Sequence, residues 1–198
     1  MSDAQLVVIA GAGLVALALV LLAVRSPAAF SEFFLNITSV EFSLKGIRLS
    51  RAVKDVREAE REKRGEEPPA TLTETLKRLG RRAPARLLWI DDNPPNNERE
   101  ASAFRNLRLD VDQVTTNAAA ARALAAHTYD LVISDIRRAE EGPEAGLDVP
   151  ELVRASHAGD VPILYYVGEA TAGVTADGHV VTTRPSDLFA QAERLLRR

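Results

Sequence analysis

The sequence predicts an α/β protein: a doubly wound, five-stranded parallel sheet preceded by a transmembrane helix and a helical juxtamembrane linker. Three observations predict it. After Pro84, short continuous apolar runs alternate with helical stretches, the pattern of a parallel sheet covered on both faces. From Leu6 to Val24, 19 residues carry no charge. Between these regions, Lys45 to Arg64 is dense in alternating charge with only a narrow apolar stripe. The expected divisions are 1–25, a transmembrane helix with a short tail; 26–83, juxtamembrane strand, helix and linker; and 84–198, the α/β domain.

The apolar run would span roughly 28 Å as a helix, against a hydrocarbon core of about 30 Å. Helix is the state expected there, because a lone strand in lipid leaves its backbone groups unpaired. Before the run stands Asp3 without a Lys or Arg, whereas Lys45 to Arg64 carries eight basic residues against four acidic ones. This bias predicts a single-pass protein of the cell membrane, N-terminus outside and C-terminal domain cytoplasmic. A cleaved signal peptide is the alternative. It fits less well, because no positive charge precedes the run and the run exceeds the usual h-region.

Between Phe30 and Lys45, Val40, Phe42 and Leu44 alternate with polar residues, which predicts a short half-exposed strand or an interfacial segment. From Ile47 to Arg64, Ala52, Val53, Val56 and Ala59 line one stripe of a helix expected to be solvated. Pro68 and Pro69 break that helix. Thr71-Leu72-Thr73-Glu74 has capping-box spacing, and Leu72, Leu76 and Leu79 share one face that must pack on the following domain or on a second copy.

In the C-terminal domain the expected strands are 86–90, 111–114, 131–134, 162–167 and 179–182. Helices are expected over 94–107, 118–127, 147–156 and from Ser186 to the C-terminus. Asn93 before Pro94 and Asn117 before the alanine run read as N-caps. Between Val167 and His179 the segment has three glycines and no helical periodicity, so the helix of that crossover is stunted or missing.

Composition excludes several chemistries. A net charge of −3 gives no basic field for nucleic acid, and none is expected as a partner. The absence of cysteine removes disulfides, thiolate metal sites and thiol catalysis. His127, His157 and His179 show no metal-ligand spacing, and no nucleophile elbow or phosphate loop is present. Trp89, Tyr165 and Tyr166 fall within apolar strands and read as core.

The chemistry lies in the carboxylates. In a doubly wound sheet, ligands bind outside the carboxyl ends of the strands where strand order reverses. Asp91 and Asp92 follow the first strand and Asp135 follows the third, so right-handed crossovers bring the three together. Such a cluster raises a pKa or binds a hard cation such as Mg²⁺.

Leu87-Leu88-Trp89-Ile90-Asp91-Asp92-Asn93 resembles the first strand and acidic pair of response-regulator receiver domains. Tyr129-Asp130-Leu131-Val132-Ile133-Ser134-Asp135 resembles their third strand ending in the phosphoacceptor aspartate, and Thr183-Arg184-Pro185 their lysine-proline step. The resemblance covers about residues 84–198. It implies a flavodoxin-like fold and a module of two-component phosphorelay signalling that acts through a protein partner or self-association. It further implies phosphorylation on Asp135, and Mg²⁺ held by Asp92 and Asp135, with Asp91 through water and the backbone carbonyl of Arg137 as a further ligand. Two positions depart from the family: Val167 stands where a hydroxyl is usual, and Arg184 stands for the lysine. Arg137 and Arg138 place further cations beside Asp135. Two other functions stay open: a pseudo-receiver that binds or oligomerises without phosphorylation, and a nucleotide-cleaving enzyme similar to the Toll/interleukin-receptor class.

Overall fold

The computed structural model describes residues 26–139, 141–156, 159–168, 173–174 and 178–197, with the side chains of 27–43 and 173–174 excepted. The chain divides into two compact units, Met1–Ile47 and Arg48–Arg198. Of the first, the structure describes helical backbone from Pro27 onward, the opening of the continuous helix α1 (Pro27–Arg64). The strand or interfacial segment expected around residues 40–44 is therefore corrected to helix. A strand needs a paired neighbour for its N–H and C=O groups, whereas a helix satisfies them internally.

The single-pass location in the cell membrane is also overturned. No helix among the described residues is long and apolar enough to cross a membrane, and that expectation is withdrawn. The apolar run 6–24 lies outside the described residues.

The second unit contains the rest of α1, then α2 (Leu72–Gly80), β1 (Arg86–Ile90), α3 (Glu98–Asn106), β2 (Asp110–Val114), α4 (Asn117–Ala126) and β3 (Leu131–Ser134). It continues with α5 (Val149–Ala155), β4 (Ile163–Tyr166), β5 (Gly173–Val174), β6 (Val180–Thr182) and α6 (Pro185–Leu195). The sheet order is β2-β1-β3-β4-β6-β5. Its five main strands pair in parallel, and β5 adds an antiparallel two-residue edge. With helices on both faces, this is the flavodoxin-like, doubly wound sheet the sequence predicts.

Strand alternation divides the core in two. Leu87 and Trp89 of β1 join Ile133, Tyr166, Phe104 and Phe189 on one face, whereas Leu88 and Ile90 join Val132, Leu124, Val153 and Tyr165 on the other. On the first face Trp89 meets Phe104 and Tyr166 edge-on, with ring centroids 6.1 and 6.0 Å apart.

Two helices that precede the α/β domain in sequence are built into that first face. Ala52, Val56 and Ala59 of α1 are fully buried, so the solvated helix expected over this stripe is corrected. Small side chains at i, i+4 and i+7 leave little hydrophobic signature in the sequence, yet they permit close approach. Leu72, Leu76 and Leu79 are buried in the same core, and α2 packs against α6. The leucine face therefore packs on the domain itself.

Polar contacts zip α1 to α3. The Arg99 guanidinium donates to both Glu62 oxygens at 2.6 and 2.8 Å and to Glu58 at 2.5 Å, and Ser102 Oγ donates to Asp55 at 2.9 Å. Helix α1 ends at Gly65, whose φ of +68° suits glycine and whose N–H reaches the Arg61 carbonyl at 2.9 Å.

Three capping expectations are revised. Thr71 precedes α2, but its side chain makes no cap hydrogen bond. Asn93 precedes the Pro94–Asn97 3₁₀ turn, likewise without a side-chain cap bond. Helix α4 is capped one residue early: Thr116 Oγ1 accepts the Ala119 N–H at 3.1 Å. Asn117 is drawn away by Arg138 and by the Ala145 carbonyl, to which its amide donates at 2.9 Å.

Candidate functional site

Strands β1 and β3 are hydrogen-bonded neighbours with Ile90 opposite Ser134, and strand order reverses between them. Each is followed immediately by an aspartate held by one more ladder bond. Asp135 N–H donates to the Ile90 carbonyl at 3.0 Å, and Asp91 N–H to the Val114 carbonyl at 3.0 Å. A cleft of about 610 Å³ opens at this edge, lined among others by Asp91, Asp92, Asp135, Lys63, Tyr166 and Val167.

The carboxylates have different surroundings. Asp91 is buried, and its two oxygens accept from the Asn93 N–H at 2.7 Å and from Asn97 Nδ2 at 2.5 Å. Asp92 accepts the Ala139 N–H at 2.5 Å, tying the end of β1 to the loop after β3. Asp135 accepts a long bond, 3.3 Å, from the Arg137 N–H, and the Ile136 N–H also hydrogen-bonds its carboxylate. Burial pushes both Asp91 and Asp135 above the ordinary carboxylate range, opposed by those backbone N–H groups and reinforced by the neighbouring carboxylates.

Among the described residues, no set of three or more His, Cys, Asp or Glu side chains is close enough to form a metal cage. A hydrated Mg²⁺ does not require one, because it is commonly held by one or two carboxylates and keeps several waters. The donor set fits such an ion. It is all oxygen, it brings three carboxylates to one cleft, and Asp91, whose oxygens are both engaged, is suited to contact through water.

Two of the arginines expected around Asp135 are turned to other partners. Arg184 does not line the cleft: its guanidinium is held by Glu60 at 2.9 Å and Glu66 at 2.7 Å. The Arg137 side chain is exposed. Arg138 is only 1% exposed and acts as a brace, donating to Ser134 Oγ, to the Asp135 and Ala145 carbonyls, and to Asn117 and Glu141. Buried and fully engaged, it has no donor free for a ligand. Val167 is at the cleft wall and offers no hydroxyl, its N–H continuing the ladder to the Thr182 carbonyl at 3.0 Å.

Sequence reasoning missed Lys63. From the last turn of α1 it reaches Glu100 at 2.7 Å, Asn97 Oδ1 at 2.5 Å and the Tyr166 hydroxyl at 3.3 Å, and it lies 4.9 Å from the Tyr166 ring centroid. Nothing local signals this, since Lys63 sits within an ordinary run of alternating charge and Tyr166 is 103 residues away.

No protein-family model matches the chain, and no curated protein matches it significantly. Among solved structures, the chain is similar to receiver domains. One is the response regulator TrrA from Thermotoga maritima in complex with Mg²⁺-BeF, at 22% identity and a TM-score of 0.47, covering 56% of this chain and 98% of that one. The receiver domain of a sensor histidine kinase from Pseudomonas aeruginosa, with magnesium in its active-site cleft, is 22% identical at a TM-score of 0.46, covering 59% and 100%. The non-phosphorylated HemR receiver domain from Leptospira biflexa is 19% identical at 0.48, covering 58% and 95%.

Proposed function

We propose that this protein is a receiver-like signalling module in which Asp135 accepts a phosphoryl group with Mg²⁺ bound at the acidic cleft. The observation that carries the proposal is the opening of Asp91, Asp92 and Asp135, from the ends of two adjoining parallel strands, into one cleft. Residues 84–198 form the receiver-like domain, and residues 48–83 are a helical extension folded onto it.

Asp135 is held by backbone N–H groups of its own loop, those of Arg137 and Ile136, which leaves lone pairs on its carboxylate for chemistry. A carboxylate oxygen attacks the phosphorus of a small or protein-borne phosphodonor. An O–P bond forms as the bond to the leaving group breaks, and that group departs with the electron pair. Asp92 and Asp135 would hold Mg²⁺, with Asp91 acting through water and the Arg137 carbonyl as a further ligand. The ion would supply charge neutralisation at the phosphoryl oxygens. The added negative charge then alters contacts with a protein partner or a second copy.

Incubating the full chain with Mg²⁺ and acetyl phosphate tests this by intact mass. Gain of one phosphoryl group by the parent and none by Asp135→Asn is expected. No gain, or an equal gain in the variant, contradicts it.

Two observations favour a second function, a pseudo-receiver that binds partners without phosphorylation: Val167 lacks a hydroxyl, and Arg184 is engaged by Glu60 and Glu66. It predicts partner binding indifferent to Asp135→Asn.

A further inference from the structure

We infer that Lys63, on the helix that precedes the receiver-like domain, is the cation that meets an anionic group held at Asp135, in the role the sequence assigns to Arg184. The inference rests on the proposal that the cleft takes a divalent cation and a phosphoryl group.

Four observations carry it. Lys63 is the one Lys or Arg among the described residues lining the cleft, facing Glu62, Asp91, Asp92 and Asp135. Its ammonium is one side chain from Asp91: Nζ donates to Asn97 Oδ1, and the Asn97 amide donates to Asp91 Oδ2 at 2.5 Å. Its side chain is 29% exposed, so solvent and ligand reach it. Arg184 is committed elsewhere by two carboxylates, one of them, Glu60, wholly buried and also accepting the Ser186 N–H at 2.8 Å.

The surroundings of Lys63 suit a shared cation. Glu100 Oε1 accepts from both Lys63 and the Tyr166 hydroxyl, the latter at 2.7 Å, and Glu100 Oε2 is buried without a partner. The ammonium has three donors on a flexible stem, so one can turn to an arriving anion while others keep Glu100 and Asn97. A phosphoryl group would thereby pull on the last turn of α1, linking occupancy of the cleft to that helix.

The test is a titration of the full chain, read by fluorescence of Trp89, the only tryptophan, whose ring lies edge-on to Tyr166. Mg²⁺ is added alone, then beryllofluoride at saturating Mg²⁺. For Lys63→Met, beryllofluoride binding is expected to weaken by about tenfold or more, the loss of a charge-assisted hydrogen bond. Mg²⁺ alone should bind as well as in the parent, or more tightly, because a like charge is gone. Arg184→Met should change beryllofluoride binding by less than about twofold, and Lys63→Arg should restore part of it. Because Lys63→Met strands the buried Glu100, the double variant Lys63→Met/Glu100→Gln removes both charges together, and the same result, weaker beryllofluoride binding with undiminished Mg²⁺ binding, is expected of it.

Equal weakening of both ligands, or a loss in Arg184→Met but not in the Lys63 variants, overturns the inference. A parent that binds neither ligand overturns the cation-and-phosphoryl proposal itself, and the role of Lys63 with it.

Discussion

Gly146 follows the loop that leaves β3, and its N–H donates to the Ile136 carbonyl at 2.9 Å. A Cβ there would stand 2.3 Å from the Asp135 carbonyl oxygen and 2.5 Å from the Ile136 Cα, both backbone atoms. Gly146→Ala must therefore displace the backbone that carries Asp135. Urea denaturation should register a loss of about 1–3 kcal/mol, the range for overpacking; an unchanged midpoint would mean that this approach is not tight. The acids themselves have a pH signature. Asp91 and Asp135 titrate above the ordinary carboxylate range because burial disfavours their charged forms. Their contribution to stability is full below the unfolded-chain value and is lost as pH rises through the raised folded value. Asp135→Asn should accordingly be more stable than the parent at neutral pH, with the margin shrinking as the pH falls into the carboxylate range. Urea melts across that range check it, and a margin that does not shrink contradicts the assignment. Asp135 was legible in the sequence because a four-residue apolar strand ends on it. Lys63 was not, because its role depends on a contact made only when α1 folds back.

At the scale of elements, β1, β3 and β4 were legible because burial on both faces forces continuous apolar runs of strand length, whereas the edge strand β2, DVDQV, is nowhere fully buried and shows only alternation. Strands β1 and β3 fall at the expected residues, and the other expected strands shift by one residue at their ends. The N-terminal helices were harder to place. The alanines of α1 carry little hydrophobic signal, and the charges that zip it to α3 look the same whether they face water or Arg99. The leucine face of α2 announced burial but not its partner. Leu76→Ala should cost about 2–5 kcal/mol in denaturant unfolding of the full chain, as for a wholly buried leucine. Leu44→Ala, at a residue 46% exposed, should cost within about 0.5 kcal/mol. Similar costs for the two would contradict the packing of α2 onto the domain.

At the scale of the whole molecule, the sheet is organised around one edge. The β1–β3 neighbourship sets three acids there, and the end of α1 and the Pro94–Asn97 turn wall one side, with Lys63 of α1 in the lining. The crossover after β4 departs from the pattern. Among its described residues it holds only the two-residue strand β5, paired antiparallel with β6, consistent with the glycines that suggested a stunted connection. Calorimetric titration of the full chain with Mg²⁺ tests the acidic edge most directly. A saturable, single-site isotherm is predicted for the parent and its loss for Asp92→Asn/Asp135→Asn; an isotherm that survives the double substitution would contradict the account.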